Sequence, residues 1–416
     1  MKKLMSVLLI LSLLCGVWVF ATAEEAAETS EPERYTSGDF KYIILEDGTA
    51  EITRYTGKEE KLSIPEELDG KKVTSIGTRA FFKCSSLTSV TIPDSVTSIG
   101  NSAFYGCSSL TSFTIPNSVT SIGGNPFENC GKLTNILVSP DHPYLATIDG
   151  VLFSKPDKRL VCYPGAFTAD SYTIPNGIQL IGEYAFSSCS SLTSVTIPDS
   201  VTSIGDSAFS DCKSLASITI PDSVTSIGDS AFSDCKSLKS ITIPDGVTSI
   251  GNGAFCGCTA LTSITIPDSA TSIGGSAFAG CKSLASVTIP DGVTSIGKTA
   301  FYVCSSLSSV TIPDSVTSIG KRAFYGCSSL ASVTIPDSVT SIGERAFSRC
   351  TALSSVTIPD GVTSIGEHAF SVSQDKMDVP NPSLTLTVPR DSYAEQYCKD
   401  NGLKYTYPDA LDWLNN

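Results

Sequence analysis

The sequence predicts a repeat solenoid, a stack of short rungs with a parallel β-sheet on one face and a short helical or irregular return on the other. Three observations predict it. Near-copies of "VTIPDSVTSIGNSAFYGCSSL" recur, and their Ile-Pro pairs fall at Pro93, Pro116, Pro175, Pro198 and on to Pro359, every step being 23 residues except 116 to 175. A period between about 20 and 50 residues is the mark of stacked supersecondary units. Within each copy "SLTSVTIP" alternates, Leu192, Val195 and Ile197 being separated by Ser194 and Thr196, which is a period-2 strand. Finally, a copy has only about six large apolar side chains, worth about 9 to 18 kcal/mol on burial, against roughly 23 to 46 kcal/mol for ordering its backbone. A lone copy cannot fold, so neighbours must cover each other.

Taken from the amino terminus, residues 1–23 place Lys2 and Lys3 before an apolar run and end on "ATA". This is the pattern of a signal peptide cleaved after Ala23. Residues 24–34 are acidic and small, a disordered spacer. Residues 35–72 alternate on both sides of Asp47-Gly48, the signature of a β-hairpin that caps the first rung. The repeats run over 73–372. The long step holds a divergent copy, with Leu133, Ile136 and Val138 in the core columns, and an insertion within 131–175 expected to project a small hairpin. After 372 the register fails: "SVSQDKMDVPNP" reads as a loop, "LTLTVP" as a strand, and 390–407 as a short helix ending at Gly402 with a strand after it. Residues 373–416 thus form a carboxy-terminal cap. The last ten residues have no wall-sorting tail.

The pattern L-x-x-V-x-I-P-D-x-V-x-x-I-G-x-x-A-F-x-x-C resembles the BspA-like leucine-rich repeats of secreted and surface proteins of bacteria, closely so over 73–372; "EDGTAEITRYTG" and "SYAEQYCKDNGLKY" resemble that family's end units. The resemblance implies a leucine-rich-repeat-like, right-handed, curved stack that is not an enzyme, with adhesion to host proteins or other microbes as its role. It brings no catalytic residues and no ligand identity. One departure is that Ser or Gly (Ser118, Ser200, Gly246, Gly292) occupies the place of the usual asparagine ladder.

The chain carries 28 basic and 42 acidic residues, net −14, or −16 once Lys2 and Lys3 are removed. That excludes a nucleic-acid partner in practical terms, and beyond the signal no apolar run spans a bilayer. Eleven cysteines from Cys84 to Cys350 share one column. Stacked side chains point the same way rather than at each other, so a ladder of buried free thiols fits better than disulfides; Cys162, Cys256 and Cys398 lie off the ladder and are the reactive candidates. Asp94, Asp199, Asp222 and their counterparts follow the repeat proline. One carboxylate per rung falls short of a calcium site, whereas Asp bonding its own backbone in a turn accounts for the column. Ser207 in "IGDSAF" has no histidine beside it, and no G-x-S-x-G, H-E-x-x-H, P-loop or dinucleotide motif occurs. The expectation is a non-catalytic protein without cofactor or metal.

Two functions fit: an extracellular monomer that binds a protein or glycan, or a structural element whose Ser/Thr columns (Ser194/Thr196 to Ser309/Thr311) match a regular polymer or lattice. The copies differ most around Ala-Phe, which puts a binding site on the return edge. There the rungs from 298 to 349 gather Lys298, Lys321, Arg322, Arg345 and Arg349 around Glu344, with Tyr302 and Tyr325 beside them, while Asp206, Asp211, Asp229 and Asp234 make earlier rungs acidic.

Overall fold

A computed structural model describes residues 32–374 and 377–409. Residues 1–33 separate from the rest as a unit of their own, of which Pro32 and Glu33 are described; the second unit begins at Arg34. The signal peptide, all but the end of the acidic spacer, and residues 410–416 lie outside the described residues.

Each rung contributes two strands to two ladders. The first is the expected one: Ser194–Thr196 pairs in parallel with Ser217–Thr219, residue for residue, and the pattern recurs along the array. The central Val or Ile is buried and its Ser and Thr neighbours face outward. The second was not expected, and it precedes the return, which is irregular and runs as turns through Ala-Phe. Ser203–Ile204, Ser226–Ile227 and their counterparts to Ser364–Ile365 form one continuous parallel sheet. Two residues are too few to show a periodicity, yet Ile is β-branched, suits extended backbone, and is buried at every step.

The glycine after that Ile is fixed by rung spacing. A Cβ on Gly251 would lie 2.6 Å from the Gly228 carbonyl carbon, and one on Gly320 2.7 Å from the Ile296 carbonyl oxygen. Beyond it the chain turns through Ala-Phe, where the Phe209 amide donates to the Ala231 carbonyl of the next rung and Phe232 to Ala254. These contacts stack Phe186 to Phe370 in one file with centroids 4.9 to 5.6 Å apart. The column after the repeat proline differs from expectation in its chemistry. The turn closes from the Val201 amide to the Pro198 carbonyl, and the side chain that bonds there is the serine: Ser223 Oγ donates to the Val201 carbonyl at 2.6 Å, Ser315 to Val293 at 2.7 Å. A hydroxyl can donate to the preceding rung's carbonyl, which an aspartate cannot.

The thiol ladder is present and has a defined bond. Cys212 Sγ donates to the Phe186 carbonyl of the preceding rung at 3.0 Å, Cys235 to Phe209 at 3.2 Å and Cys350 to Phe324 at 3.1 Å. All described cysteines are free, and burial pushes the Cys212 and Cys327 thiols up to about 12. Cys162 and Cys398 are buried too, which overturns their assignment as reactive; Cys256 and Cys84 are half-buried.

The insertion does not project. Leu145–Ile148, Val151–Ser154 and Arg159–Cys162 form an antiparallel meander whose last strand pairs in parallel with Leu180–Ile181, so it opens the second ladder's long sheet. Its second and third strands are buried on both faces. Val151, Phe153 and Leu160 pack into the core that continues to Leu403, whereas Leu152, Val161 and Cys162 pack into the core that starts at Tyr42. The meander is a wedge between two hydrophobic cores. Arg159 completes it: its guanidinium donates to the Ile122 and Gly123 carbonyls at 2.9 and 3.2 Å, and the counterparts of the Ile122 carbonyl elsewhere bond the next rung's glycine, as Ile181 does with Gly205.

At the amino end Phe40–Ile44 and Ala50–Tyr55 form the hairpin around Asp47-Gly48, with Arg34–Ser37 added outside; Ala50–Tyr55 then pairs in parallel with Lys71–Ile76. At the other end Ser371–Gln374 and Met377–Pro380 form an antiparallel hairpin where a loop was expected. Helix Tyr393–Asn401 starts on Ser392, whose Oγ accepts from Glu395 N–H, and stops at Gly402 with φ 64, the left-handed conformation a helix-terminating glycine supplies. Lys404–Thr406 pairs with Thr385–Thr387 beyond it.

Candidate functional site

The return edge is built from side chains that flank the buried Ala-Phe pair, so their positions are set by a core that does not vary. Tyr302 and Tyr325 follow Phe301 and Phe324 directly and stack at 5.0 Å and 10°. Arg349, exposed, lays its guanidinium 5.3 Å from the Tyr325 ring centroid. A groove of ≈ 490 Å³ runs beside them, walled by Val303, Tyr325, Arg349 and Val372.

The structure divides the seven sequence-predicted residues. Tyr302, Tyr325 and Arg349 come together. Lys321 and Arg345 instead hold Glu344, at 2.5 and 2.7 Å, and the Lys321 hydrogen bond draws the Glu344 carboxyl below its ordinary range. Their charges are largely spent on that carboxylate. Arg322 is half-buried on the Tyr325 rung, with its Nε enclosed and without a hydrogen-bond partner. Lys298 is exposed two rungs from Glu344. The usable positive charge therefore lies at Arg349, Arg322 and Lys298.

The acidic rungs also sort into two kinds. Asp206 Oδ1 accepts from the Asp229 amide at 2.8 Å, and Asp229 Oδ1 from the Asn252 amide at 2.6 Å. These carboxylates tie rung to rung, as Asn252 does for the Gly275 amide. Asp211 and Asp234 sit one side chain away from Lys213 and Lys236, at 3.6 and 3.5 Å, in exposed pairs worth little.

Val303 marks local strain. Its φ is 56, as is that of Thr299 on the same rung, and a β-branched residue in the left-handed region is a genuine outlier. The equivalent position one rung on is Gly326. Among the described residues, no three His, Cys, Asp or Glu side chains gather as a metal site would need. His142 is buried in the insertion: its Nδ1 accepts from the Tyr144 and Leu145 amides at 3.2 and 3.1 Å, and Nε2 faces the Pro116 carbonyl. It is a strut for the wedge.

The sequence pattern described as "BspA type Leucine rich repeat region (6 copies)" matches residues 42–158, 161–285 and 248–377. The chain belongs to this BspA-type leucine-rich repeat family. The chain is also similar to several solved structures. A leucine rich cell surface protein from Faecalibacterium prausnitzii is 33% identical, over 83% of this chain and 96% of that one, with a TM-score of 0.44. A leucine-rich repeat protein from Bacteroides ovatus is 29% identical, over 90% of this chain and 99% of that one, with a TM-score of 0.52. One from Eubacterium ventriosum is 25% identical, over 74% and 91%, with a TM-score of 0.46. No curated protein matches the chain. Among the described residues no helix is long and apolar enough to cross a membrane.

Proposed function

We propose that this BspA-type repeat protein acts outside the cell, secreted or held at the surface, as a non-catalytic monomer that binds a protein or glycan partner through the return edge. The observation that carries the reading is the contrast between the repeated Ala-Phe core and the aromatic and cationic side chains it presents beside the 298–349 groove. Tyr and Arg are the side chains enriched at binding hot spots. A surface-protein relative and a leader of signal-peptide pattern support the location. The pairing of Lys321 and Arg345 with Glu344 narrows the site to Tyr302, Tyr325, Arg322, Arg349 and Lys298.

The test is a binding screen of the full chain against immobilised matrix glycoproteins, mucin and insoluble polysaccharides, repeated with Arg322→Glu/Arg349→Glu. Binding to a matrix protein or mucin that the double variant loses by about tenfold or more, with weaker salt dependence, supports the reading. Binding confined to insoluble polysaccharide and indifferent to the variant transfers the function to the Ser/Thr face.

A further inference from the structure

We infer that the return edge carries a second, equivalent site near its amino-terminal end, formed by Arg79, Phe82, Lys83 and Tyr105, and that both sites take an acidic polypeptide segment bearing an apolar side chain. The inference rests on the reading of this edge as a binding surface.

Phe82 and Tyr105 follow the core residues Phe81 and Phe104 directly, so they occupy the column that holds Tyr302 and Tyr325. They stack at 5.1 Å and 14°, against 5.0 Å and 10° for the tyrosine pair. Cations attend both pairs: Arg79 stands 5.9 Å from the Tyr105 centroid and Lys83 5.1 Å from that of Phe82, as Arg349 stands 5.3 Å from that of Tyr325. Between the pairs the column runs Glu128, Ser187, Ser210, Ser233, Cys256, Ala279 and carries no aromatic ring. The feature therefore occurs twice and is not a by-product of the repeat.

Each pair adjoins a groove, ≈ 350 Å³ walled in part by Arg54, Tyr55, Lys58, Phe82 and Leu87 at one end and the ≈ 490 Å³ groove at the other. Beside the second groove Arg322 Nε is enclosed without a hydrogen-bond partner, while in the first the Tyr55 hydroxyl bonds the Glu59 backbone. Among the described residues Arg79, Lys83 and Arg349 belong to no ion pair. These cations call for carboxylates. Ring edges and the walls at Leu87, Val303 and Val372 call for an apolar side chain, which a polysaccharide lacks. Seven rungs at about 4.8 Å put the two sites roughly 35 Å apart, so a partner with repeated acidic segments engages both at once, with avidity beyond either contact.

The probe is a synthetic peptide of one phenylalanine flanked by glutamates, titrated calorimetrically into the full chain, and the same peptide in tandem on a Gly/Ser linker able to span the gap. Two single peptides bind per chain; Arg79→Ser/Tyr105→Ala leaves one, Arg322→Ser/Arg349→Ser leaves one, and the combined variant binds none. The tandem peptide binds the parent chain at least about tenfold more tightly than the single one, and loses that advantage in either double variant. Circular dichroism confirms that each variant is folded. One peptide per chain, removed by the Arg322/Arg349 changes alone, overturns the second site and leaves the proposed function standing. No peptide binding, or binding of a heparin fragment in its place at both sites, overturns the polypeptide class. Failure of the binding screen at the Arg322/Arg349 variant overturns the edge reading itself.

Discussion

The sheet face and the return edge are built on the same rungs yet differ in kind. On the face, Ser and Thr recur almost unchanged, exposed on either side of one buried residue. On the edge, one column runs from Phe82 through Ser210 and Cys256 to Tyr325. The difference teaches where a solenoid is free to specialise. A strand residue on the face must suit extended backbone and a like neighbour above and below, so the ladder itself selects Ser and Thr. An edge side chain leaves from a turn held by the Phe amide and the Ala carbonyl beneath it, and its own identity is unconstrained unless it caps the next rung, as Asp206 and Asp229 do.

Both surfaces rest on the same file of buried aromatic rings, and its loss is the largest effect expected. Phe255→Ala removes a fully buried ring stacked on two neighbours and should lower unfolding free energy by about 3 to 5 kcal/mol, measured by urea denaturation. A change below about 1 kcal/mol would mean that the rungs are not held by the aromatic file.

The next effect separates edge from face. Asp229→Ala removes the acceptor for the Asn252 amide and should cost about 1 to 3 kcal/mol, whereas Ser240→Ala on the exposed face should stay within about 0.5 kcal/mol. Equal costs would erase the distinction between a capping edge and a permissive face.

A pH effect isolates the wedge, which belongs to neither surface. His142 is held neutral, its ordinary value lowered by burial, and protonation of Nδ1 would displace two backbone amides. The folded state therefore binds this proton less readily than the unfolded one. Stability from this group is complete above about pH 6.5 and declines as pH falls from there toward the lower folded value. Comparing parent chain and His142→Gln by thermal melts from pH 7.5 to 5 should show a steeper fall in the parent; identical slopes would remove His142 from the account.

The smallest effect tests strain on the edge. Val303→Gly relieves a β-branched residue at φ 56, a conformation costing about 1 to 2 kcal/mol, while glycine returns roughly 0.5 to 1 kcal/mol of that as chain entropy. A net gain of about 0.5 to 1 kcal/mol is expected, and a loss would show that the Val303 side chain packs more than it strains.

Much of this was legible in the sequence because repetition turns one chain into its own alignment. The period, the core columns, the free-thiol ladder, the hairpin at Asp47-Gly48 and the helix ending at Gly402 all follow from spacing. The second ladder was hidden because Ser203–Ile204 is too short to display alternation. The wedge was hidden because runs such as Val151–Ser154 show no polar face, and sequence alone does not say that two cores lie on either side. At the candidate site the columns bring Tyr302, Tyr325 and Arg349 to one place, but which cations Glu344 claims, and that Asp206 and Asp229 bond the backbone, depends on side-chain geometry that spacing does not encode. Phe82 and Tyr105 stand in the same column as the two tyrosines and are legible from the period alone.

The central claim is that the edge binds and the face does not. Its most direct measurement is the dissociation constant, for the matrix protein or mucin retained in the screen, of two folded variants side by side: Arg322→Glu/Arg349→Glu on the edge and Thr219→Glu/Thr242→Glu/Thr265→Glu on the face. The account predicts a loss of about tenfold or more for the edge variant, or about 1.4 kcal/mol, with the face variant within about twofold of the parent. The reverse ordering, or equal losses from both, would contradict it.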